Sequence, residues 1–218
     1  MTTVLHPRQH PKRSAGSDTV SFVRQALAGL RVLLVLTVLL GVLYPLAVTG
    51  VAQLLLPWQA NGSLVSATGE HVTDTDDATG SLLIGQSFDD PQWFHPRPSA
   101  AGDGYDTLAS AGSNLGPLNP DLVASIDERR AQVAAQEDVD PAAVPADALT
   151  ASASGLDPHI SPAYAELQVP RIARERGVSA DDVRALVSDS TVGRDLGVLG
   201  EPRVDVLRLN LALAILGS

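Results

Sequence analysis

The chain has 218 residues, a formal net charge of −10 and no cysteine. Without thiols it cannot be a disulfide-stapled scaffold, and it cannot carry a lipid-modified cysteine as an anchor. An acidic surface repels phosphate, so we expect no nucleic-acid partner.

The first part of the chain predicts a cytoplasmic tail and a membrane anchor. Residues 1 to 31 are expected to form a mostly disordered tail, because the first twenty are polar and show no apolar period. Residues 32 to 56 contain no charge. As a helix this segment is roughly 37 Å long, enough to cross a hydrocarbon core of about 30 Å. We therefore predict one transmembrane helix over residues 32 to 56, since the apolar core of a cleaved signal has only about 7–15 residues.

The charges on either side of the span predict its orientation. Five basic residues and one acid precede the span, whereas residues 57 to 96 contain six acids and no lysine or arginine. The excess of positive charge remains in the cytoplasm. We expect a cytoplasmic N-terminus and a single-pass protein of the cell membrane, with residues 57 to 218 forming an extracytoplasmic domain. That domain carries about −14, because it holds 10 of the 15 basic and 24 of the 25 acidic residues.

Small and weakly polar residues interrupt the predicted span. On a straight helix several of them fall within an arc of roughly 120°. Small residues let helices approach closely in lipid, and polar residues hydrogen-bond across such contacts. The pattern fits a helix that docks on a partner or a lone anchor surrounded by membrane lipid, and periodicity alone leaves both open. The candidate contacts with a partner are Thr37, Gly41, Tyr44, Pro45, Thr49, Gly50 and Gln53.

Short strands and longer helices alternate beyond the span, which predicts a single domain of the α+β class. A turn at Asn61 is expected to lead into a short strand, and residues 82 to 85 are expected to form another. Asn119 followed by Pro120 is typical of a helix start, so we predict a helix over residues 120 to 136.

The C-terminal third is predicted to be mainly helical. Helices are expected over residues 162 to 176, where Pro170 allows a bend, and over residues 180 to 188. Residues 204 to 213 are ambiguous, because their leucines alternate as in a strand while other apolar residues recur as in a helix.

Two stretches invite a functional interpretation. Residues 93 to 120 are dense in glycine, proline, serine and asparagine, and such long irregular stretches are usually functional or ordered by contacts. Ser154, Asp157 and His159 lie close together, which raises the alternatives of a membrane-anchored hydrolase and of a sensor. Triad members meet through the fold rather than by adjacency in sequence, so catalysis is not favoured here.

Six groups of residues occur in a fixed order between residues 32 and 213. They are Tyr44-Pro45-Leu46 with Val48-Thr49-Gly50 and Ala52-Gln53; Gln59-Ala60-Asn61-Gly62-Ser63-Leu64; Gly85-Gln86-Ser87-Phe88; Arg97-Pro98-Ser99-Ala100 through Ser113-Asn114-Leu115-Gly116-Pro117; Ser154-Gly155-Leu156-Asp157-Pro158-His159-Ile160-Ser161-Pro162; and Leu199-Gly200-Glu201-Pro202-Arg203-Val204. In this order they resemble one family, the C subunit of the bacterial Kdp potassium-transporting ATPase. The chain departs from the family at residues 190 to 192 and at Asp205, where asparagine is usual.

The resemblance implies a non-catalytic subunit of an ATP-driven potassium uptake complex. Its partners would be a channel-like potassium-binding subunit (KdpA), a P-type ATPase subunit (KdpB) and a small single-span subunit (KdpF). The family is described as assembling the complex and as a catalytic chaperone that raises the affinity of the ATPase subunit for ATP. This chain has no Asp-Lys-Thr-Gly phosphorylation motif, so we expect no catalytic residue, metal or cofactor of its own, with ATP and potassium handled by the partners. Candidate partner contacts beyond the span are Gln59, Asn61, Arg97, Ser113 and Asn114.

Overall fold

The computed structural model describes residues 15 to 216, with side chains from residue 19 onward. The chain forms two compact units that are separated in the sequence between Leu56 and Pro57. Residues 1 to 14 of the predicted cytoplasmic tail lie outside the described residues.

The first unit is one long apolar helix with a local change of winding. It consists of α1 (Ala15–Val38), a π-helical turn (Leu39–Leu43) and α2 (Tyr44–Leu55). Among the described residues, Thr19–Leu55 is the one helix that is long and apolar enough to cross a membrane. The N–H of Tyr44 reaches back five residues to the carbonyl of Leu39. This wider turn directly precedes Pro45, which has no N–H and whose ring would crowd the preceding turn of an ordinary α-helix.

The helix begins earlier than the sequence suggested. Residues 15 to 31 were expected to belong to a disordered tail, and they are helical. Val20, Val23, Leu27 and Leu30 recur at three- and four-residue spacings, which suits a helix once it is continuous with an apolar span.

Within its described residues, 57 to 216, the second unit combines five helices with two small sheets, as the predicted α+β class requires. Its elements are α3 (Pro57–Ala60), β1 (Leu64–Val65), β2 (His71–Val72), β3 (Gly80–Ser81), α4 (Pro120–Glu137), 3-10 turns at Pro141–Ala143 and Ala146–Ala148, β4 (His159–Ile160), α5 (Pro162–Arg176), α6 (Ala180–Ser190), β5 (Thr191–Val192), β6 (Arg203–Asp205) and α7 (Val206–Leu216). Both sheets are antiparallel, with the strand orders β2-β1-β3 and β4-β6-β5.

The hydrophobic core lies around α5. This helix buries Val169 and Ile172 completely, and α6 and α7 add Val183 and Leu209. Phe94, from the irregular segment, is also fully buried in this core. A segment without regular structure is therefore fixed to the helices by its own apolar side chain.

The three long helices of the domain are confirmed, and their starts show why. The side chains of Asn119, Ser161 and Ser179 each accept a hydrogen bond from a backbone N–H in the first turn of α4, α5 and α6. These capping residues satisfy N–H groups that have no partner within the helix. Pro170 lies inside α5, which continues through it to Arg176.

The second predicted strand is wrong in its position. The strand occupies Gly80–Ser81, and residues 82 to 84 form a turn. The Ser81 hydroxyl donates to the carbonyl of Gly62 and accepts from the N–H of Leu83, which ends the strand. The apolar run that suggested a strand is partly exposed, with Leu83 at 61%.

The ambiguous tail contains both of the expected structures. Residues 203 to 205 form the central strand β6, and α7 starts directly afterwards. The change of structure occurs at Asp205, whose Oδ1 accepts a hydrogen bond from the N–H of Arg208 at 2.8 Å. The carboxylate therefore caps α7.

Because the carboxyl of Asp205 is buried, we expect the stability of the chain to depend on pH. Burial raises the pKa of its carboxyl, against the opposing influence of the Arg208 N–H and of His159. At pH values above the ordinary aspartate pKa of about 3.9, ionising this carboxyl therefore reduces the free energy of unfolding. Asp205→Asn keeps a capping oxygen without the charge, so we expect a higher unfolding temperature than wild type at pH 7, with a gain that disappears toward pH 3.5.

The measurement is thermal unfolding of the full chain in detergent between pH 3.5 and 8. Asp205→Ala is the control, because it also removes the charge but loses the cap, which costs about 1 kcal/mol relative to Asp205→Asn. If Asp205→Asn were less stable than wild type at pH 7, the carboxylate would be stabilising and this interpretation would be wrong.

Candidate functional site

Two irregular segments, residues 85 to 111 and residues 150 to 159, pair along their backbones, and we call this pair the junction. The N–H of Gly85 donates to the carbonyl of Leu156 at 2.8 Å, and the N–H of Ala111 donates to that of Ser154 at 3.0 Å. The Ser110 hydroxyl donates to the same Ser154 carbonyl at 2.9 Å. The junction thus brings together residues that are 43 to 71 positions apart in the sequence.

Ser99 is the central hydrogen-bonding residue of the junction. Its hydroxyl donates to the carbonyl of Gly155 at 2.6 Å and accepts from the N–H groups of Ala101 and Tyr105 at 3.1 and 2.8 Å. Gly155 has φ = +67°, and a Cβ there would lie 2.6 Å from the N of Ala101. A glycine is therefore required at this close contact between the two segments.

Arg97 connects the same two segments by its side chain. Its Nη1 donates to Asp157 Oδ2 at 2.8 Å, and its Nη2 donates to the carbonyl of Thr150 at 3.3 Å. The Arg97 carbonyl accepts a bond from the hydroxyl of Tyr105 at 2.7 Å. Arg97 Nε is the one buried side-chain polar atom in the described part of the chain that lacks a partner. The predicted contact residue Arg97 thus belongs first to the internal structure of the junction.

Asp157 is held ionised by its neighbours. Partial burial works to raise the pKa of its carboxyl, but hydrogen bonds from His159 and the charge of Arg97 outweigh burial and lower it. The stabilisation is therefore present above the ordinary aspartate pKa and is lost as the pH falls through the lowered value. Asp157 acts here as an anchor for Arg97 and for the start of β4.

The neighbourhood of Ser154, Asp157 and His159 lacks the geometry of a catalytic triad. The Ser154 hydroxyl lies 3.3 Å from the hydroxyl of Ser152 and accepts a bond from the N–H of Leu156. His159 Nδ1 lies 3.4 Å from Asp157 Oδ1. No hydrogen bond joins Ser154 to His159 among the described residues, so the nucleophile and base of a hydrolase are not assembled.

Two buried side-chain amides bind the backbone of the first junction segment. Asn210 of α7 accepts from the N–H of Phe94 at 2.8 Å and donates to its carbonyl at 3.0 Å. Gln168 of α5 does the same for His95, at 2.7 and 3.1 Å. These side chains satisfy a buried backbone that has no neighbouring strand.

A buried ion pair lies beneath this stretch. Arg171 Nε is 3.0 Å from both carboxylate oxygens of Glu137, and the two side chains are 2% and 1% exposed. The guanidinium also donates to the carbonyls of Pro91 and Trp93 and to Gln168 Oε1. Arg171 therefore ties α4, α5 and the irregular segment together.

A cavity of about 430 Å³ opens between α4 and the irregular segment, and we call it the α4 cavity. It has a mixed lining of two arginines, two tyrosines, amides and apolar groups. The residues around it are Ser87, Phe88, Asp89, His95, Pro96, Arg97, Pro98, Ser99, Gly104, Tyr105, Arg129, Gln132, Val133, Gln136, Ala148 and Tyr164.

Comparisons with known proteins identify the family. The family model described as "KdpC: K+-transporting ATPase, c chain" matches residues 26–214. The chain belongs to the KdpC family. It is 55% identical over 193 residues to the potassium-transporting ATPase KdpC subunit of Kineococcus radiotolerans, covering 88% of this chain and 94% of that protein. It is 52% identical to the KdpC subunits of Beijerinckia indica, covering 83% and 88%, and of Mycobacterium tuberculosis H37Rv, covering 87% and 97%.

The KdpC resemblance found from sequence motifs is thus confirmed, and the junction shows what several of those motifs do in the fold. Gly85 of one motif, Arg97 and Ser99 of another, and Gly155 and Asp157 of a third are in direct contact. Three of the six motifs therefore form one structural unit.

The other predicted contact residues are distributed over the chain. Those in the span belong to the first unit, where their side chains are exposed. In the second unit Gln59 and Asn61 lie at and just after α3, and the Asn61 amide donates to the carbonyl of Pro57 at 2.6 Å. Ser113 and Asn114 are exposed and lie just beyond the junction. The structure therefore brings Arg97 into the junction and leaves these others outside it.

Sequence reasoning missed the buried polar residues that support the junction. They are Glu137, Gln168, Arg171 and Asn210, together with Arg129 and Tyr164 around the α4 cavity. The available signal was weak, because a glutamine or arginine within a helix normally indicates its solvent-exposed face.

Proposed function

We propose that this chain is the non-catalytic KdpC subunit of an ATP-driven, high-affinity potassium uptake complex, and that it assembles and stabilises that complex. The observation that carries this proposal is the family match over residues 26–214. The apolar helix Thr19–Leu55 supports a membrane-anchored subunit, and the junction supports a rigid domain whose role is to hold a surface in place. The partners would be the KdpA, KdpB and KdpF subunits.

The orientation follows from charge. The basic residues before the span remain in the cytoplasm, and the acidic domain lies outside. An acidic surface of about −14 raises the local concentration of cations, which assists capture of potassium when it is scarce.

The chaperone effect on ATP affinity must act at a distance in this arrangement. A domain outside the membrane does not meet cytosolic ATP. The coupling would run through the span and the partner subunits. The candidate contact residues of the span, from Thr37 to Gln53, which we call the contact face, are the physical route. The irregular winding at Leu39–Leu43 lies within this face, where a helix is more easily deformed.

The glycines of the helix allow a sharp test of this docking. A Cβ added at Gly50 would meet nothing within 4 Å, and one at Gly41 would meet only the methyl group of Thr37, at 4.0 Å. Gly41→Leu and Gly50→Leu therefore fit the isolated chain. We expect them to reduce the partner subunits recovered with a tag at Ser218 at least fivefold, because a bulky side chain separates helices that pack closely in lipid.

The experiment is purification in mild detergent, identification of the co-purifying subunits, and assay of potassium-stimulated ATP hydrolysis. Gly29→Leu is the matched control, since Gly29 has equally open space on the same helix but precedes the predicted span. A wild-type chain that purifies alone from a host expressing the other subunits would overturn the proposed function. Equal recovery for all three variants would overturn the docking face alone.

A further inference from the structure

The α4 cavity has walls that the fold fixes. On one side the backbone of Phe94 and His95 is clamped by buried amides, and Ser99 and Tyr105 are fixed by the junction. On the other side α4 supplies a regular helical surface. A volume of about 430 Å³ lies within the range of small-ligand sites.

The hydroxyl of Tyr164 has no hydrogen-bond partner in the described part of the chain. The residue is only 4% exposed and belongs to the cavity lining, yet its hydroxyl makes no hydrogen bond among the described residues. Burial raises the pKa of Tyr164, so the hydroxyl keeps its proton and can donate a hydrogen bond. The oxygen is accessible from the cavity, since Arg97 Nε is the one fully buried side-chain polar atom without a partner among the described residues. The Tyr164 hydroxyl therefore presents an available donor to the cavity.

Arg129 provides a guanidinium that is bonded to no carboxylate of the described residues in the same lining. Its Nη1 donates to the carbonyl of Leu149 at 3.1 Å, and no carboxylate of the described residues pairs with it. The neighbouring Arg130 is different, because it points to Asp127 at 2.7 Å. One guanidinium in the lining thus has donors left for an anion.

The other charged groups and the histidine of the lining are an arginine paired with an acid, an uncharged imidazole and one exposed acid, Asp89. Arg97 is neutralised by Asp157. Burial and the charge of Arg171 lower the pKa of His95, which therefore stays uncharged at neutral pH. Asp89 is bonded to the hydroxyl of Ser87 at 2.9 Å on the exposed rim.

We propose that the α4 cavity binds a carboxylate group, held by the guanidinium of Arg129 and the hydroxyl of Tyr164. A planar guanidinium fits the planar carboxylate, and a phenol adds a third donor. Two sources supply this chemistry. One is a free organic acid, and the other is an acidic side chain of a partner subunit, a source that rests on the proposed function.

The first arm of the test measures thermal unfolding of the full chain in detergent with sodium acetate or sodium succinate, against sodium chloride at equal ionic strength. For a free acid, the wild type melts at a higher temperature in the carboxylate. Arg129→Met raises the carboxylate concentration that gives half of this melting-temperature shift at least tenfold. Arg130→Met leaves that concentration unchanged. The loss of the Leu149 contact lowers the ligand-free melting temperature of Arg129→Met, so the comparison uses only the shift.

Tyr164→Phe gives the result that a structural role would not produce. Removing a hydroxyl that bonds to no other described residue leaves the ligand-free chain about as stable as wild type, while the carboxylate concentration that gives half of the shift rises about fivefold. A structural tyrosine would show the reverse, with lower stability and an unchanged response to carboxylate.

The second arm measures recovery of the complex through the tag at Ser218. If a partner supplies the carboxylate, free acids do not change the melting temperature. The amount of partner subunits recovered with Arg129→Met and with Tyr164→Phe is then at least fivefold lower than with Arg130→Met. A wild-type chain without partners would overturn the proposed function and leave the first arm to decide the site. The carboxylate site is overturned if neither arm separates Arg129→Met from Arg130→Met.

Discussion

Replacing Arg171 with methionine is expected to destabilise the second unit by about 3–5 kcal/mol, which would leave little of the stability of an ordinary domain. The substitution leaves the carboxylate of Glu137 almost fully buried without its cation. It also removes the donors for the carbonyls of Pro91 and Trp93. The expected observations are a large fall in melting temperature and rapid hydrogen exchange around residues 91 to 99.

The double variant Glu137→Met with Arg171→Met separates the two causes. It no longer contains a buried charge, so we expect it to recover more than half of the lost stability. Recovery remains incomplete, because the carbonyls of Pro91 and Trp93 still lack their donors. A double variant no more stable than Arg171→Met would show that the charge on Glu137 is not the cause of the loss.

Arg184 supplies the control for these measurements. It bonds to Glu166 at 2.7 Å and to Asp181 at 2.8 Å on the surface, where its side chain is 46% exposed. Ion pairs in water contribute about 0–1 kcal/mol. Arg184→Met should therefore change the melting temperature only slightly, although Arg184 bonds to two carboxylates and Arg171 to one.

The parts of the fold that follow local rules could be predicted from the sequence. The starts of α4, α5 and α6 follow from capping residues that act within three positions, and the apolar span follows from composition. The position of β3 could not be predicted, because Ser81 ends it through a bond to Gly62, 19 residues away.

The junction could not be predicted for the same physical reason. Its bonds join residues 85 to 111 with residues 150 to 159 through backbone groups, which every residue has and no pattern reveals. The motifs showed that these residues belong together in a family without showing that they touch. Likewise, the pairing of Asn210 with Phe94 spans 116 positions and has no periodic signature.

Gly155→Ala is expected to prevent the junction from closing. At φ = +67° an alanine already costs roughly 1–2 kcal/mol. Its Cβ would also lie 2.6 Å from the N of Ala101 and 2.7 Å from the carbonyl oxygen of Ala111, so the two segments must separate. Separation breaks the bond from Ser99 to the Gly155 carbonyl and weakens that from Ala111 to Ser154.

Gly177 provides a control with the same backbone conformation. It also has φ = +67°, at the C-terminal cap of α5, but a Cβ there would meet nothing within 4 Å. Gly177→Ala therefore isolates the cost of the backbone conformation, and the additional loss in Gly155→Ala measures close packing at the junction. We expect thermal unfolding in detergent to place Gly155→Ala about 2 kcal/mol below Gly177→Ala, the middle of the range for overpacking in a dense interior.

The two variants should also differ in assembly. If the junction holds the surface that the complex recognises, Gly155→Ala chains that remain folded at low temperature will recover fewer partner subunits than Gly177→Ala chains. Equal stability of the two variants would mean that the segments adjust to a methyl group without loss. In that case the junction would be a flexible contact, and Arg97 with Asp157 would have to hold the two segments together by their side chains alone.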